Sequence, residues 1–162
     1  MFTGALAASY YGTPRTTMDV DIVVNVARKD LQNKLVSALR DAGLQVNGER
    51  IDAALKSGFS IVTVKDNKTP FTVDIILSGK KLKKKASTIL GLPTFYQTPE
   101  DLILAKLRMI KATVPRERAL KDENDVRAIL RFTEIDMSAL KRRARRNNTL
   151  PILETLIADI SH

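Results

Sequence analysis

Apolar residues fall in short blocks through the first half of the chain and at helical spacing through the second. The run Asp19-Val20-Asp21-Ile22-Val23-Val24 is apolar except for two acids and predicts a strand from Asp19 to Val26. Before it, Phe2 to Gly4 reads as the end of a short strand. Ala5 to Tyr11 reads as a small-residue helix closed by Gly12, a residue suited to a helix C-terminus. After it, Leu31, Leu35, Ala38 and Leu39 recur at helical spacing between Lys29 and Ala42, and Gly43 stops the pattern. Arg50 to Lys56 reads as a further short helix. Phe59 to Val64 and Phe71 to Leu77 read as two strands joined through Asp66-Asn67-Lys68-Thr69-Pro70, whose residues suit a tight turn.

Beyond Ser78-Gly79 comes the basic stretch Lys80, Lys81, Lys83, Lys84 and Lys85, and from there the pattern reads as helical. Thr98-Pro99-Glu100-Asp101 marks a helix start: a Thr cap, Pro in the first turn where its missing N–H does no harm, and acids at the positive helix end. The helix runs on over Leu102 to Ala112. Glu117 to Arg131 and Ser138 to Arg146 follow, then Pro151 to Ile160, with Leu153, Leu156, Ile157 and Ile160 on one side. The expectation is an α/β (α+β) fold, a small mixed sheet flanked by helices with a C-terminal helical part. It would form one domain over 1–162, a sheet half at 1–78 and a mainly helical half at 79–162, with 79–97 joining the two.

Composition narrows the chemistry. With 44% apolar and 28% charged residues the 162-residue chain is ordinary globular material rather than a disordered one. No apolar run approaches the roughly 20 residues a membrane helix needs, and no secretion signal is visible, so no membrane partner and a cytoplasmic location are expected. Cysteine is absent and the one histidine, His162, reads as a frayed terminus. Any metal must then be held by oxygen, which favours Mg²⁺ or Mn²⁺. The net charge of +9 points to anionic partners such as nucleotides, RNA or an acidic protein.

Asp19 and Asp21, two apart on a strand, share a face, and two anions so placed call for a cation between them. Asp74, inside Phe71-Thr72-Val73-Asp74-Ile75-Ile76-Leu77, would complete an oxygen cage if its strand lies alongside; by itself it is equally a solvent-facing acid of a half-buried sheet. Gly4-Ala5 opens a helix whose first N–H groups can face a phosphate, against the plainer reading of Gly4 as a turn. Arg15 suits a phosphate, these acids or solvent. Lys106 on an amphipathic helix reads as a snorkelling surface lysine or an anion ligand, and Asp122 and Asp125 as acids complementing a helix dipole. The run Lys141-Arg142-Arg143-Ala144-Arg145-Arg146 reads as a solvated face or a phosphate-backbone contact.

The order Gly4-Ala5-x-Ala7, then Tyr11-Gly12-x-Pro14-Arg15-x-Thr17-x-Asp19-Val20-Asp21, resembles the first motif of the polymerase-β-like nucleotidyltransferase superfamily. It is similar in particular to the AbiEii-type toxin branch, with its Gly-Gly or Gly-Ser, helix, and Arg-x-Thr-x-Asp-x-Asp. Asp74 falls where that superfamily has its third metal-binding acid. Lys106, followed by Lys121-Asp122-Glu123-Asn124-Asp125-Val126, resembles the late helical motif of the branch, with Arg118 or Lys121 approximating its basic residue. Ala5 departs from the usual Gly or Ser and brings no hydroxyl to a phosphate. Members also carry a helix before the first glycine, whereas Met1 stands three residues ahead of Gly4 here.

The resemblance implies a Mg²⁺-dependent transfer of a nucleoside monophosphate from an NTP, ATP among the candidates, to an acceptor hydroxyl. Asp19, Asp21 and Asp74 would bind the metal, with Asp74 helping to deprotonate the acceptor. Gly4, Ala5, Arg15, Thr17 and Lys106 would meet the nucleotide, and Asp122 or Asp125 would support the site or act as a base. The acceptor implied is RNA, a tRNA 3′ end, within a toxin–antitoxin system whose antitoxin is a partner. Two other readings stay open: a catalytically silent protein that binds RNA or a protein partner, and an enzyme modifying a protein or small-molecule hydroxyl.

Overall fold

The acid-interrupted run does form a strand, β1 (Asp19–Asn25). The computed structural model describes residues 1–25, 29–57, 61–79 and 82–160. Val26, Phe59, Lys80, Lys81 and His162, which figure in the sequence expectations, lie outside the described residues. The chain divides into two compact units, Met1–Leu6 with Thr16–Tyr96, and Ala7–Arg15 with Gln97–His162. Helix α1 (Gly4–Tyr11) therefore begins in the first and ends in the second. The fold is mixed α/β, with a small mixed sheet and helices.

In the first unit the chain continues from β1 through α2 (Lys29–Asp41), the two-residue strand β2 (Leu44–Gln45), α3 (Gly48–Ser57), β3 (Ile61–Asp66) and β4 (Thr72–Ser78). The sheet order is β1-β4-β3-β2, with β4 parallel to β1 and antiparallel to β3, and β3 antiparallel to β2. Alternation sorts the side chains. Val62, Val64, Ile75 and Leu77 pack with Leu39 of α2 and with Ile51 and Ala54 of α3, and Ile22, Val24 and Val73 join the edge of that core. The odd positions of β1 and even positions of β4 go to the opposite face, which receives every acid of the two strands.

The outer side of β1 is lined by the first residues of the chain. Phe2 bridges Ile22, Val23 N–H donates to the Met1 carbonyl at 2.8 Å, and Thr3 N–H to the Asp21 carbonyl at 3.0 Å. Phe2 also bridges Tyr96 and donates its N–H to the Phe95 carbonyl at 2.7 Å. Phe95 and Tyr96 belong to a second, two-stranded sheet, β5 (Lys84–Ile89) and β6 (Leu92–Gln97). This corrects the expectation of helix beyond Gly79. The β-branched and aromatic residues Thr88, Ile89, Thr94, Phe95 and Tyr96 favour strands, and Leu90 and Gly91, at φ 50° and 79°, make the two-residue turn between them. The sheet unit thus extends to Tyr96 rather than to residue 78.

The second unit is helical: α4 (Pro99–Ala112), a 3₁₀ turn at Arg116–Ala119, α5 (Leu120–Phe132), α6 (Met137–Arg146) and α7 (Leu150–Ile160). Leu102, Ile103, Leu104 and Leu107 of α4 are buried against α5, α6 and α7, which contribute Val126 and Ile129, Leu140 and Ala144, and Leu153 and Leu156. Pro99 begins α4 as expected, but Thr98 caps it with its backbone: its carbonyl accepts from Leu102 N–H at 2.9 Å and its hydroxyl makes no cap bond. Residues 7–15 complete this unit. The Tyr11 hydroxyl donates to the Gln97 carbonyl at 2.8 Å, and the Thr133 hydroxyl donates to the Tyr11 carbonyl at 2.6 Å. Gly12 lies so close to α5 that a Cβ there would stand 2.8 Å from the Ala128 Cβ.

Candidate functional site

Strand register decides where the acids go. Asp19 stands opposite Thr72 and Asp21 opposite Asp74, two residues apart along a parallel pair. In-register residues of neighbouring parallel strands point to the same face, so Asp19, Asp21, Thr72 and Asp74 project together, on Cα positions about 4.8 Å apart across the strands. The next strand adds Thr63, opposite Asp74. Two cross-strand hydrogen bonds hold the array: the Thr72 hydroxyl donates to Asp19 Oδ1 at 2.5 Å and the Thr63 hydroxyl to Asp74 Oδ1 at 2.5 Å.

Gly4 completes this corner. Edge pairing of Thr3 with Asp21 brings the first residue of α1 against the Asp21 side chain. Gly4 has φ +56°, and a Cβ there would fall inside the Asp21 carboxylate. Ala5, next along, is buried. Thr17 turns its hydroxyl to the backbone, donating to the Asp19 carbonyl at 3.1 Å and accepting from Asp19 N–H at 3.2 Å, which shapes the entry to β1.

The donor set suits a hard cation: carboxylate and hydroxyl oxygens, with backbone in close approach at glycine. It is an open array. Among the described residues, no three His, Cys, Asp or Glu side chains are gathered closely enough to hold a metal ion.

The other sequence-predicted residues meet in the helical unit. Asp125, buried on α5, takes the Arg15 guanidinium in a fork, Nε to Oδ1 at 2.8 Å and Nη2 to Oδ2 at 3.0 Å, and takes Lys106 Nζ on Oδ2 at 2.7 Å. Lys106 also donates to Asp122 Oδ1 at 2.8 Å. Its side chain is only 6% exposed, so Lys106 is neither a snorkelling lysine nor a loose cation but the buried link between two carboxylates. Burial would raise the Asp125 pKa, but the hydrogen bonds and charges of Arg15 and Lys106 outweigh it and hold the carboxyl below its ordinary value.

The structure therefore sorts the expected residues into two sets: Gly4, Ala5, Thr17, Asp19, Asp21 and Asp74 in the sheet unit, and Arg15, Lys106, Asp122 and Asp125 in the helical one. Sequence reasoning missed Thr63 and Thr72. The spacing Thr72-x-Asp74 repeats that of Asp19-x-Asp21 and was the available signal. On α6 the cationic run divides: Arg143 pairs with Asp101, while Lys141, Arg142, Arg145 and Arg146 are exposed.

Fold and site together define an α/β protein whose sheet carries one helix-covered apolar face and, on the other, an acidic corner closed by a glycine. No protein-family model matches the chain, and no curated protein matches it either.

Proposed function

We propose that this chain is a nucleotidyltransferase that moves a nucleoside monophosphate from an NTP to an acceptor hydroxyl. The observation that supports it most is the register placing Asp21 opposite Asp74 with Asp19 on the same face, against a glycine that leaves the Asp21 carboxylate no room for a side chain beside it. Asp19, Asp21 and Asp74, which share a face but do not stand gathered as a metal cage, would have to draw together to hold Mg²⁺ or Mn²⁺. A bound divalent ion supplies neutralisation of phosphate charge and an acidified attacking hydroxyl. The chain's own part is orientation. Thr72 and Thr63 fix one oxygen of Asp19 and one of Asp74, Thr17 sets the strand entry, and Gly4 allows backbone to approach a phosphate closely. The resemblance implies contact of Lys106 with the triphosphate; its ammonium, a donor of three hydrogen bonds, is here paired with Asp122 and Asp125.

The acceptor in this reading is RNA, a tRNA end, and the setting a cytoplasmic toxin with a cognate antitoxin. The support is the net charge of +9 and the exposed cations of α6. Incubation with each α-labelled NTP and total RNA tests it. Label should move to RNA, and Asp19→Ala with Asp21→Ala should abolish the transfer. An unimpaired double variant refutes the reading, and label on protein redirects it to another acceptor. One observation favours a second reading, a silent RNA-binding protein: Ala5 offers no hydroxyl where the resembling family has Gly or Ser. Calorimetric titration with Mg²⁺ and nucleotide separates the two, since only the enzyme binds nucleotide in a metal-dependent way.

A further inference from the structure

The tip of the β5–β6 hairpin combines features that folding alone does not call for. Leu90 is 98% exposed and Leu92 69%, with Ile89 and Phe95 also exposed. Leu90 holds φ 50°, a left-handed conformation that disfavours a side chain and that Gly or Asn would adopt at less cost. A strained, solvent-facing leucine at a turn costs stability twice, once in backbone and once in hydration, which points to use elsewhere.

Beside it runs an open edge. The second sheet has two strands, so among the described residues no strand other than β6 pairs with β5. On the far side of β6, Phe2 is already hydrogen-bonded. A two-residue hairpin aims the N–H and C=O groups of alternate β5 residues away from its partner, leaving a template for one more strand. Lys83 and Lys84 are exposed at the start of this edge, and Lys84 Nζ lies 3.6 Å from the centre of the Phe95 ring.

We propose that this hairpin is a docking edge for an extended acidic polypeptide segment of another protein, which adds to β5 as a further strand, acids against the lysines and apolar side chains on the tip. Charge chooses this occupant. A second copy paired in the antiparallel sense would set Lys84 against the uncharged Ile89 end of its partner and leave the lysines without a counter-charge, and one paired in the parallel sense would set lysines against lysines, whereas an acidic strand meets its complement. RNA is disfavoured by the tip: Ile89, Leu90 and Leu92 offer a base no ring to stack on, and Lys84 already lies over the Phe95 ring. Backbone hydrogen bonds would give affinity, and the alternating side chains would give selection. The proposal is independent of any chemistry at the acid corner.

The test uses the full chain and fluorescein-labelled probes: a peptide alternating Glu and Val, its counterpart alternating Lys and Val, and oligo-U RNA. The acidic peptide should bind, with amide shifts confined to residues 83–92 in NMR spectra, and the basic peptide should not. Leu90→Gly, which suits the turn, should keep or raise the melting temperature yet weaken peptide binding roughly tenfold through loss of one apolar anchor. Lys83→Glu with Lys84→Glu should reverse the peptide preference. No binding of the acidic peptide, affinity unchanged in these variants, shifts elsewhere in the chain, or oligo-U displacing the peptide from β5 would overturn the proposal.

Discussion

Asp125 is held ionised against its own burial, because the Arg15 fork and the Lys106 ammonium favour the charged form more than desolvation opposes it. Its folded pKa therefore lies below the ordinary value of 3.8. A depressed carboxyl stabilises the fold fully above its unfolded pKa and gives that stability up as pH falls through the folded one. Urea unfolding measured from neutral pH downward should show this loss in the wild type. Asp125→Asn should lack that part of the acid-side decline and be less stable at neutral pH by about 3–5 kcal/mol, because the two cations then lose their shared buried partner. Lys106→Met is expected to be milder, since Asp125 keeps Arg15.

Among the elements, helices were the most legible from sequence. The Thr-Pro-Glu-Asp start and the apolar spacing of α4, and the runs of α5 to α7, follow from patterns within one segment. The β5–β6 hairpin was not legible, because both of its tip faces are exposed and its first residues are lysines, so no alternation marks it. The acid corner was half legible. The Asp19, Asp21 and Asp74 positions stand out in their strands, but that β4 lies beside β1, in the register pairing Asp21 with Asp74, is a property of the sheet. The snorkelling reading of Lys106 failed for a similar reason: its partners come from a later helix, and only packing of α4 on α5 shows that they meet. Gly12 was expected as a helix stop and does end α1, yet packing also constrains it. Gly12→Ala should destabilise by about 1–3 kcal/mol, read from thermal or urea melts, because the new methyl meets Ala128 at 2.8 Å and its backbone carbon at 3.0 Å.

At the scale of the molecule, the +9 charge is spread unevenly in use. Arg15, Lys106, Arg127 and Arg143 are bound up in ion pairs with acids of the helical unit, while four cations of α6 remain exposed. Among the described residues no helix is long and apolar enough to cross a membrane. Replacing Lys141, Arg142, Arg145 and Arg146 by Gln should weaken RNA binding across sequences. It should also flatten the dependence of log K on log salt by about 0.7 for each single-strand phosphate that is no longer neutralised, as measured by filter binding over a salt series.

The path of the chain between its units bears on any attempt to divide it. The backbone leaves the sheet unit after Leu6, returns at Thr16 and leaves again after Tyr96. Severing the chain at residue 96 would strand Ala7–Arg15 on the wrong piece, depriving the helices of the arginine that clasps Asp125 and of the tyrosine tied to Gln97 and Thr133. The helical half is not a free-standing module in the genetic sense: one of its segments is carried on the N-terminal piece, so a truncation that keeps only residues beyond 96 would report misfolding of the helices rather than the location of an activity.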